Sequence, residues 1–189
     1  MTEQGNPANL GTTSLTIPAN SQLAIPAKTV VSSFTGNTRG SAVFTIGGPA
    51  NNIEGLYQST NLSTGAMSNT PMSRPSSYTG STPFVVPWFT TNPGYVSRFV
   101  FVNRSSQAAP FTVQVLPEAG NAATLNVTSG VIAAQSMYVL DASSVVTGFS
   151  AATRAGAVVQ VSSPDTNIDA LYNVVNPSSG VVSNTRLTH

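Results

Sequence analysis

The side chains that enzymes most often use for nucleophilic and acid–base chemistry are scarce in this chain. It has no cysteine, and its single histidine, His189, is the last residue. A Ser-His-Asp or Cys-His arrangement needs an imidazole that packed structure holds in place. The composition predicts neither arrangement, and the absence of cysteine excludes a thiolate metal site. We therefore expect a protein that is not an enzyme.

Two acidic residues occupy matching positions, but their placement argues against a catalytic pair. Glu54 and Asp169 each follow an isoleucine and lie 115 residues apart. Glycoside hydrolysis needs two carboxyl groups that face each other across a cleft. Because these residues are equivalents within a duplication, described below, we expect them to lie in separate structural units.

Residues 165–169 read Asp-Thr-Asn-Ile-Asp, a spacing that can surround a hard cation with oxygen atoms. The glycine and the distal glutamate of a complete calcium loop are missing. The equivalent residues 50–54 have also lost the first carboxylate. We interpret the segment as a turn that leads into a strand, and we expect no metal and no cofactor.

Low charge limits the classes of partner. Charged residues make up 7% of the chain and hydrophobic residues 40%, and the formal net charge is +1. There is no basic run, so binding to nucleic acid is not expected. The longest apolar run, 84–89, contains Pro87 and is far too short to span a membrane. The N-terminal residues do not resemble a signal peptide.

A tandem duplication organises the sequence. Residues 2–72 align without a gap onto residues 117–187, at a constant offset of 115, with 29 identities in 71 positions. Shared composition alone would not produce so many identities. Fixed-period similarity of this kind is the signature of a repeated structural unit.

Several large or charged residues recur in both copies and are candidates for structural roles. We expect each arginine to bond loop carbonyls or to stack on a phenylalanine, although a role in binding a partner is the alternative. We expect each tyrosine to lie at a core edge with its hydroxyl group paired. The equivalent pairs are Phe34 and Phe149, Arg39 and Arg154, and Tyr57 and Tyr172.

Alternating apolar residues and turn signals predict an all-β fold. In the second copy, strands are predicted at 97–103, 109–116, 124–127, Ser136–Asp141, 157–162, Ile168–Val175 and 181–188. Seven short strands in about a hundred residues are typical of an immunoglobulin-like sandwich. We therefore predict two tandem immunoglobulin-like β-sandwich repeats.

The first copy yields fewer strands. They are predicted at 14–17, 22–25, 42–46, 53–58 and 66–69, and the equivalents of the first two strands of the second copy fall before Met1. The predicted units are an incomplete repeat at 1–72, a Ser/Thr/Pro-rich linker at 73–83 and a complete repeat at 84–189. The apolar segment 84–89 is expected along an edge of the second sandwich, since Pro87 disfavours a central strand.

The second copy resembles a β-sandwich repeat of bacterial secreted and cell-surface proteins. The similar elements are an asparagine that ends a strand, a Gly-Asn hairpin turn, a phenylalanine before a small-residue strand and a late Tyr-Asn strand. They correspond to Asn103, Gly120-Asn121, Phe149 with Ala157, and Tyr172-Asn173. The resemblance implies a binding or structural module rather than an enzyme, and it transfers no site residues.

The strands missing from the first copy predict an assembly function. Removing strands from a sandwich exposes apolar core and backbone groups, so something must fill the gap. A neighbouring subunit, the segment 84–89 or the second copy itself are three possible fillers. The leading hypothesis is a structural subunit that self-associates through β-sheet edges into an extracellular filament, a surface layer or a virion shell.

The alternative hypothesis is an adhesive or carbohydrate-binding module. Such a module would present exposed aromatic rings to a glycan or to a host or cell surface. The candidate residues for this platform are Tyr78, Trp88 and Tyr95.

Overall fold

The computed structural model describes residues 1–3, 8–11, 13–36, 39–47, 53–72, 83–162 and 167–187. Its regular structure consists of β-strands and two four-residue helices, which confirms the predicted all-β class. The predicted linker lies almost entirely outside the described residues. We call residues 1–72 the first repeat and residues 84–189 the second repeat.

The first repeat contains two separate two-stranded sheets. One pairs β1 (Ala8–Leu10) with β2 (Val31–Phe34), which follows the short helix α1 (Ala27–Val30). The other is a hairpin of β3 (Leu56–Thr60) and β4 (Met67–Pro71).

The second repeat is built from longer strands. They are β5 (Phe84–Thr90), β6 (Val96–Asn103), β7 (Ala109–Pro117), β8 (Ala123–Leu125), β9 (Ser129–Ile132), β10 (Ser136–Asp141), β11 (Val146–Phe149), β12 (Arg154–Val161), β13 (Ile168–Val175) and β14 (Val182–Arg186). Helix α2 (Ala142–Val145) joins β10 to β11.

Eight of these strands form two antiparallel sheets that pack face to face. The sheet orders are β10-β6-β13-β14 and β5-β12-β7-β9, and β8 pairs with β11 in a separate ribbon. The aromatic rings of Phe101 on β6 and Phe111 on β7 stack between the two sheets, with centroids 5.6 Å apart. Along β7, Phe111 and Val113 are buried while Thr112 and Gln114 are exposed, which is the alternation that the sequence predicted.

The two repeats share local structure wherever both partners of a pairing are present. The ribbon β1–β2 has the register of β8–β11: Ala8 pairs with Phe34, and Ala123 pairs with Phe149. Likewise, Leu56 pairs with Pro71, and Leu171 pairs with Arg186, at the equivalent position of β13–β14. The helices α1 and α2 are also equivalent. The duplication seen in the sequence therefore extends to the backbone.

Three strand predictions for the first repeat are wrong. Residues 14–17, 22–25 and 42–46 lie in no strand, although the hairpin β3–β4 confirms the two later predictions with shifted ends. Their equivalents in the second repeat are β9, β10 and β12. Each of those strands pairs with β5, β6 or β7. Of these three strands, only the last two residues of β7 have equivalents among the 189 residues, Met1 and Thr2, which pair with Ser41 and Gly40. Apolar alternation alone does not form a strand without a partner strand.

The count of seven strands in the second repeat is also too low. The short strands β9 and β11 were not predicted, and the apolar segment around Pro87 forms a seven-residue strand, β5. As expected, β5 is an outer strand, and it pairs with β12 of its own repeat. In this structure the segment 84–89 therefore does not fill the gap in the first repeat.

The first repeat contacts both outer strands of one sheet of the second repeat. At β10, the amide nitrogen of Met137 donates a 2.9 Å hydrogen bond to the carbonyl oxygen of Thr2, and Glu3 pairs with Met137 in parallel. At β14, Asn184 Nδ2 donates to Thr70 Oγ1 at 3.0 Å. These contacts join the two repeats, and no strand among the described residues pairs with residues 14–17, 22–25 or 42–46.

Candidate functional site

The candidate site consists of the three segments of the first repeat whose equivalents are strands in the second. We call residues 14–17, 21–26 and 39–46 the acceptor segments; they correspond to β9, β10 and β12. Six large apolar side chains in them are exposed: Leu15, Ile17, Leu23, Val43, Phe44 and Ile46.

Equivalent positions in the second repeat belong to its core. Ile17 is 41% exposed and Phe44 is 48% exposed, whereas their equivalents Ile132 and Val159 are both 0% exposed. The difference arises because β9 and β12 pack their inward side chains beneath β5, β6 and β7. The acceptor segments thus expose apolar residues whose equivalents form the interior of the second sandwich.

The recurrent arginines form ion pairs with recurrent glutamates rather than bonds to loop carbonyls. Arg39 contacts Glu3 at 2.8 Å, and its equivalent Arg154 contacts the equivalent Glu118 at 3.3 Å. Glu3 is the more buried of the two carboxylates, since it lies against β10. The predicted structural role is therefore compatible with the geometry, but the bonding partner is an acidic side chain.

The recurrent tyrosines differ in burial between the repeats, whereas the two recurrent phenylalanines are both partly buried. Phe149 lies against Phe89, with ring centroids 6.4 Å apart, and Phe34 is partly buried in the first repeat. Tyr172 is buried, and its hydroxyl group lies 3.2 Å from Ser97 Oγ. Its equivalent Tyr57 is 50% exposed. Each second-repeat residue thus has the packed environment that the missing strands would provide in the first repeat.

Burial raises the pKa of Tyr172 above its ordinary value, and the hydrogen bond with Ser97 offsets part of that increase. A raised phenol pKa means that the folded protein favours the neutral hydroxyl group. This is the behaviour of a core residue rather than of a reactive base.

Two of the three candidates for an aromatic platform are described, and both are exposed. Trp88 on the outer strand β5 is 51% exposed, and Tyr95 in the turn before β6 is 45% exposed. The Trp88 ring meets the Tyr172 ring edge-on at a centroid distance of 6.3 Å. Tyr78 lies outside the described residues.

Arginine side chains bind the acidic segment that leads into β13. Asp169 accepts bonds from Arg104 at 2.9 Å and from Arg186 at 3.3 Å. Asn167 Oδ1 also accepts a bond from Arg104. Asp165 lies outside the described residues, and the residues that are described contain no cluster of three or more potential metal ligands.

A shallow cleft of about 290 Å³ lies between the hairpins β3–β4 and β13–β14. Its walls consist of hydroxyl, amide and small apolar groups, and none of its lining residues is titratable. They are Ser59, Thr60, Asn61, Ala66, Ser68, Val175, Pro177, Gly180 and Val182. The cleft offers hydrogen bonds but no acid–base chemistry.

Sequence reasoning did not identify the residue that most limits what the acceptor segments can bind. Gly130 on β9 stands opposite Phe111 on β7, and a Cβ atom at Gly130 would lie 2.7 Å from the Phe111 ring. Its equivalent in the first repeat is Leu15. The difference is visible in the aligned repeats, but its meaning depends on the register of β7 and β9.

Comparison of the chain with protein-family models, with curated proteins and with solved structures found no match. None of the helices in the described residues is long and apolar enough to cross a membrane.

Proposed function

We propose that this protein is a non-enzymatic structural subunit that assembles through β-sheet edges, with its first repeat completed by strands from a neighbour. The assembly is an extracellular filament, a surface layer or a virion shell built from tandem immunoglobulin-like repeats. The observation that carries the proposal is the exposure of Ile17, Phe44 and Ile46, at positions whose equivalents are fully buried.

Exposed side chains of this kind favour association. Burial of one Ile or Phe side chain contributes about 1.5–3 kcal/mol, so covering several of them is a substantial driving force. Natural strand-complementation assemblies likewise add a donated strand that covers exposed apolar positions. The scarcity of catalytic residue types supports a structural role over an enzymatic one.

Other copies of the chain are the proposed partners at the outer strands β5 and β9. These strands end one sheet of the second repeat, whereas the first repeat contacts both outer strands of the other sheet. Pairing of β9 in one molecule with β5 in the next would continue the sheet from molecule to molecule. A heterologous contact of this kind produces a filament unless it closes into a ring.

Mass photometry and electron microscopy of the purified chain test the proposal. At micromolar concentration, we expect regular oligomers or polymers. Val131→Lys places a charge on the outer strand β9 and should shift the distribution towards monomers.

Thr112→Lys is the matched control, because Thr112 is also exposed but lies on β7 where that strand pairs with β9 on one side and with β12 on the other. This variant should assemble like the wild-type protein. A wild-type protein that remains a folded monomer throughout this range would contradict self-assembly.

A glycan-binding or adhesive function is the second candidate, favoured by the exposure of Trp88 and Tyr95. Aromatic rings that are fixed and exposed can stack on the apolar face of a sugar or on another flat ligand. A glycan array compares this candidate directly with the first. Binding that Trp88→Ala abolishes would favour adhesion, and a blank array would argue against it.

A further inference from the structure

We propose that the acceptor segments bind a three-stranded segment from outside these 189 residues, one that resembles residues 84–117 but has a small residue opposite Leu15. This inference rests on the strand-complementation part of the proposed function and identifies the partner's chemistry. The argument uses the second repeat, which already contains such a complex within one chain.

The second repeat shows what the occupant looks like. Strand β12 pairs with β5 on one side and with β7 on the other, so that Val159 is opposite both Phe84 and Val113. Strand β9 pairs with β7, and β10 pairs with β6. The strands β5, β6 and β7 therefore contact all three equivalents of the acceptor segments.

Counting donors and acceptors argues against another copy of this chain as the source. The 189 residues contain one segment with this pattern, 84–117, and two repeats that require one. Counted over these 189 residues, each copy supplies two acceptor sites and one donor segment. If one copy donated its segment 84–117 to the first repeat of another copy, its own second repeat would lose those strands.

The size of the Leu15 side chain argues against residues 84–117 of another copy as the occupant. In the second repeat, the Phe111 ring occupies the space that a side chain at Gly130 would need. In the second repeat that ring is 2% exposed and lies between Phe101 and Tyr138, at centroid distances of 5.6 and 5.3 Å. With Leu15 at the equivalent position, a phenylalanine placed as Phe111 is would overlap it.

Ser41 provides a second, weaker mismatch. Its equivalent is Gly156, where a Cβ atom would lie 3.3 Å from the carbonyl oxygen of Pro87. The backbone of the occupant must therefore be displaced slightly relative to β5. Both differences indicate a donor that is related to residues 84–117 but not identical to them.

The test adds the donor to the complete chain. Because Glu3 is the equivalent of Glu118, a second copy of residues 84–117 is inserted directly before Glu3. The added copy carries Trp88→Phe, so that the original Trp88 reports on the second repeat alone. Three chains are compared. The first has no further change. The second also carries Phe111→Ala in the added segment, and the third instead carries Leu15→Gly in the first repeat.

Hydrogen exchange at residues 39–46 provides the measurement. We expect exchange there to slow by about tenfold or more in the second and third chains and to remain fast in the first. Equal protection in all three chains would overturn the size requirement at Leu15. Absence of protection in all three, with Trp88 emission showing a folded second repeat, would overturn the strand donor altogether.

A separate probe covers the case in which an added segment prevents folding. Residues 84–117 with Phe111→Ala, fused to a soluble carrier, are mixed with the wild-type protein, and exchange at residues 39–46 is measured again. Protection supports the proposal, and unchanged exchange overturns it. Self-assembly of the unmodified protein is measured independently with Val131→Lys, so failure of one proposal is distinguishable from failure of the other.

Discussion

At the scale of single residues, equivalent positions behave differently because their surroundings differ. Tyr57 and Tyr172 have the same sequence neighbours on one side, yet one is half exposed and the other is in the core. The hydroxyl group of Tyr172 is paired with Ser97, which belongs to β6, a strand without an equivalent in the first repeat. The environment of a residue is thus set by strands that lie far away in the sequence.

We predict that Tyr172 makes the protein sensitive to alkali. Its pKa is raised in the folded state, so its contribution to stability is present below the ordinary phenol pKa of about 10 and is lost as pH rises above it. The free energy of unfolding should therefore fall more steeply between pH 9 and 11 in the wild-type protein than in Tyr172→Phe. Chemical denaturation at a series of pH values measures this slope.

Tyr57→Phe is the control, because it removes the equivalent hydroxyl group from an exposed ring. Its pH profile should keep the steep fall of the wild-type protein, because Tyr172 is unchanged. Parallel profiles for the wild-type protein and Tyr172→Phe would show that the buried phenol does not contribute.

At the scale of elements, turns that are closed by local hydrogen bonds are present in both repeats. Strands that need distant partners form only in the second repeat. Asn61 Oδ1 accepts hydrogen bonds from the amides of Ser63 and Thr64, and Asn176 Oδ1 does the same for Ser178 and Ser179. Each turn ends at a glycine with a positive φ, Gly65 at 72° and Gly180 at 71°. Such turns carry their own hydrogen bonds and fix the register of their hairpins.

Asn103 connects elements that local turns cannot connect. Its buried side-chain nitrogen donates to the carbonyl oxygens of Gln107, Ile132 and Ala133, which ties the β6–β7 loop to the end of β9. We predict that Asn103→Ala lowers the free energy of unfolding by about 2–4 kcal/mol, because buried carbonyls lose their donor. Urea denaturation measures the loss.

Asn126→Ala provides the comparison for Asn103→Ala, since Asn126 is an exposed asparagine of the same repeat. Its effect should be within about 0.5 kcal/mol of zero. A similar small effect at Asn103 would mean that the loop is held by other contacts.

At the scale of the whole molecule, the sequence predicted the all-β class, the duplication and most strands of the second repeat. The alternation of Phe111 and Val113 with polar residues predicted β7, and Pro87 predicted an outer strand. The same alternation wrongly predicted a strand at residues 42–46. Alternating apolar and polar residues indicate that a segment could lie in a sheet, but they do not show whether a partner strand exists. The restriction imposed by Leu15 also needed the cross-strand register.

We predict a large difference in hydrogen exchange between equivalent parts of the two repeats. Amides of β12 should exchange slower than those of residues 39–46 by about two orders of magnitude, because β12 is paired on both sides. Mass spectrometry of peptides from the wild-type protein measures both regions together. The internal standard is the exchange rate of β4 compared with that of β14. Both strands are paired, so their rates should differ much less. Uniform protection across residues 39–46 would contradict the described structure.

The glycine at position 130, and the leucine that replaces it at position 15, also affect the order of events during synthesis. The first repeat leaves the ribosome before residues 84–117, and the rest of the second repeat follows later. For that interval, the newly made strands β5, β6 and β7 have only the earlier repeat available as a template. Under the size requirement proposed for Leu15, we expect that template to bind them poorly, so that they pair with the second repeat once it has been made.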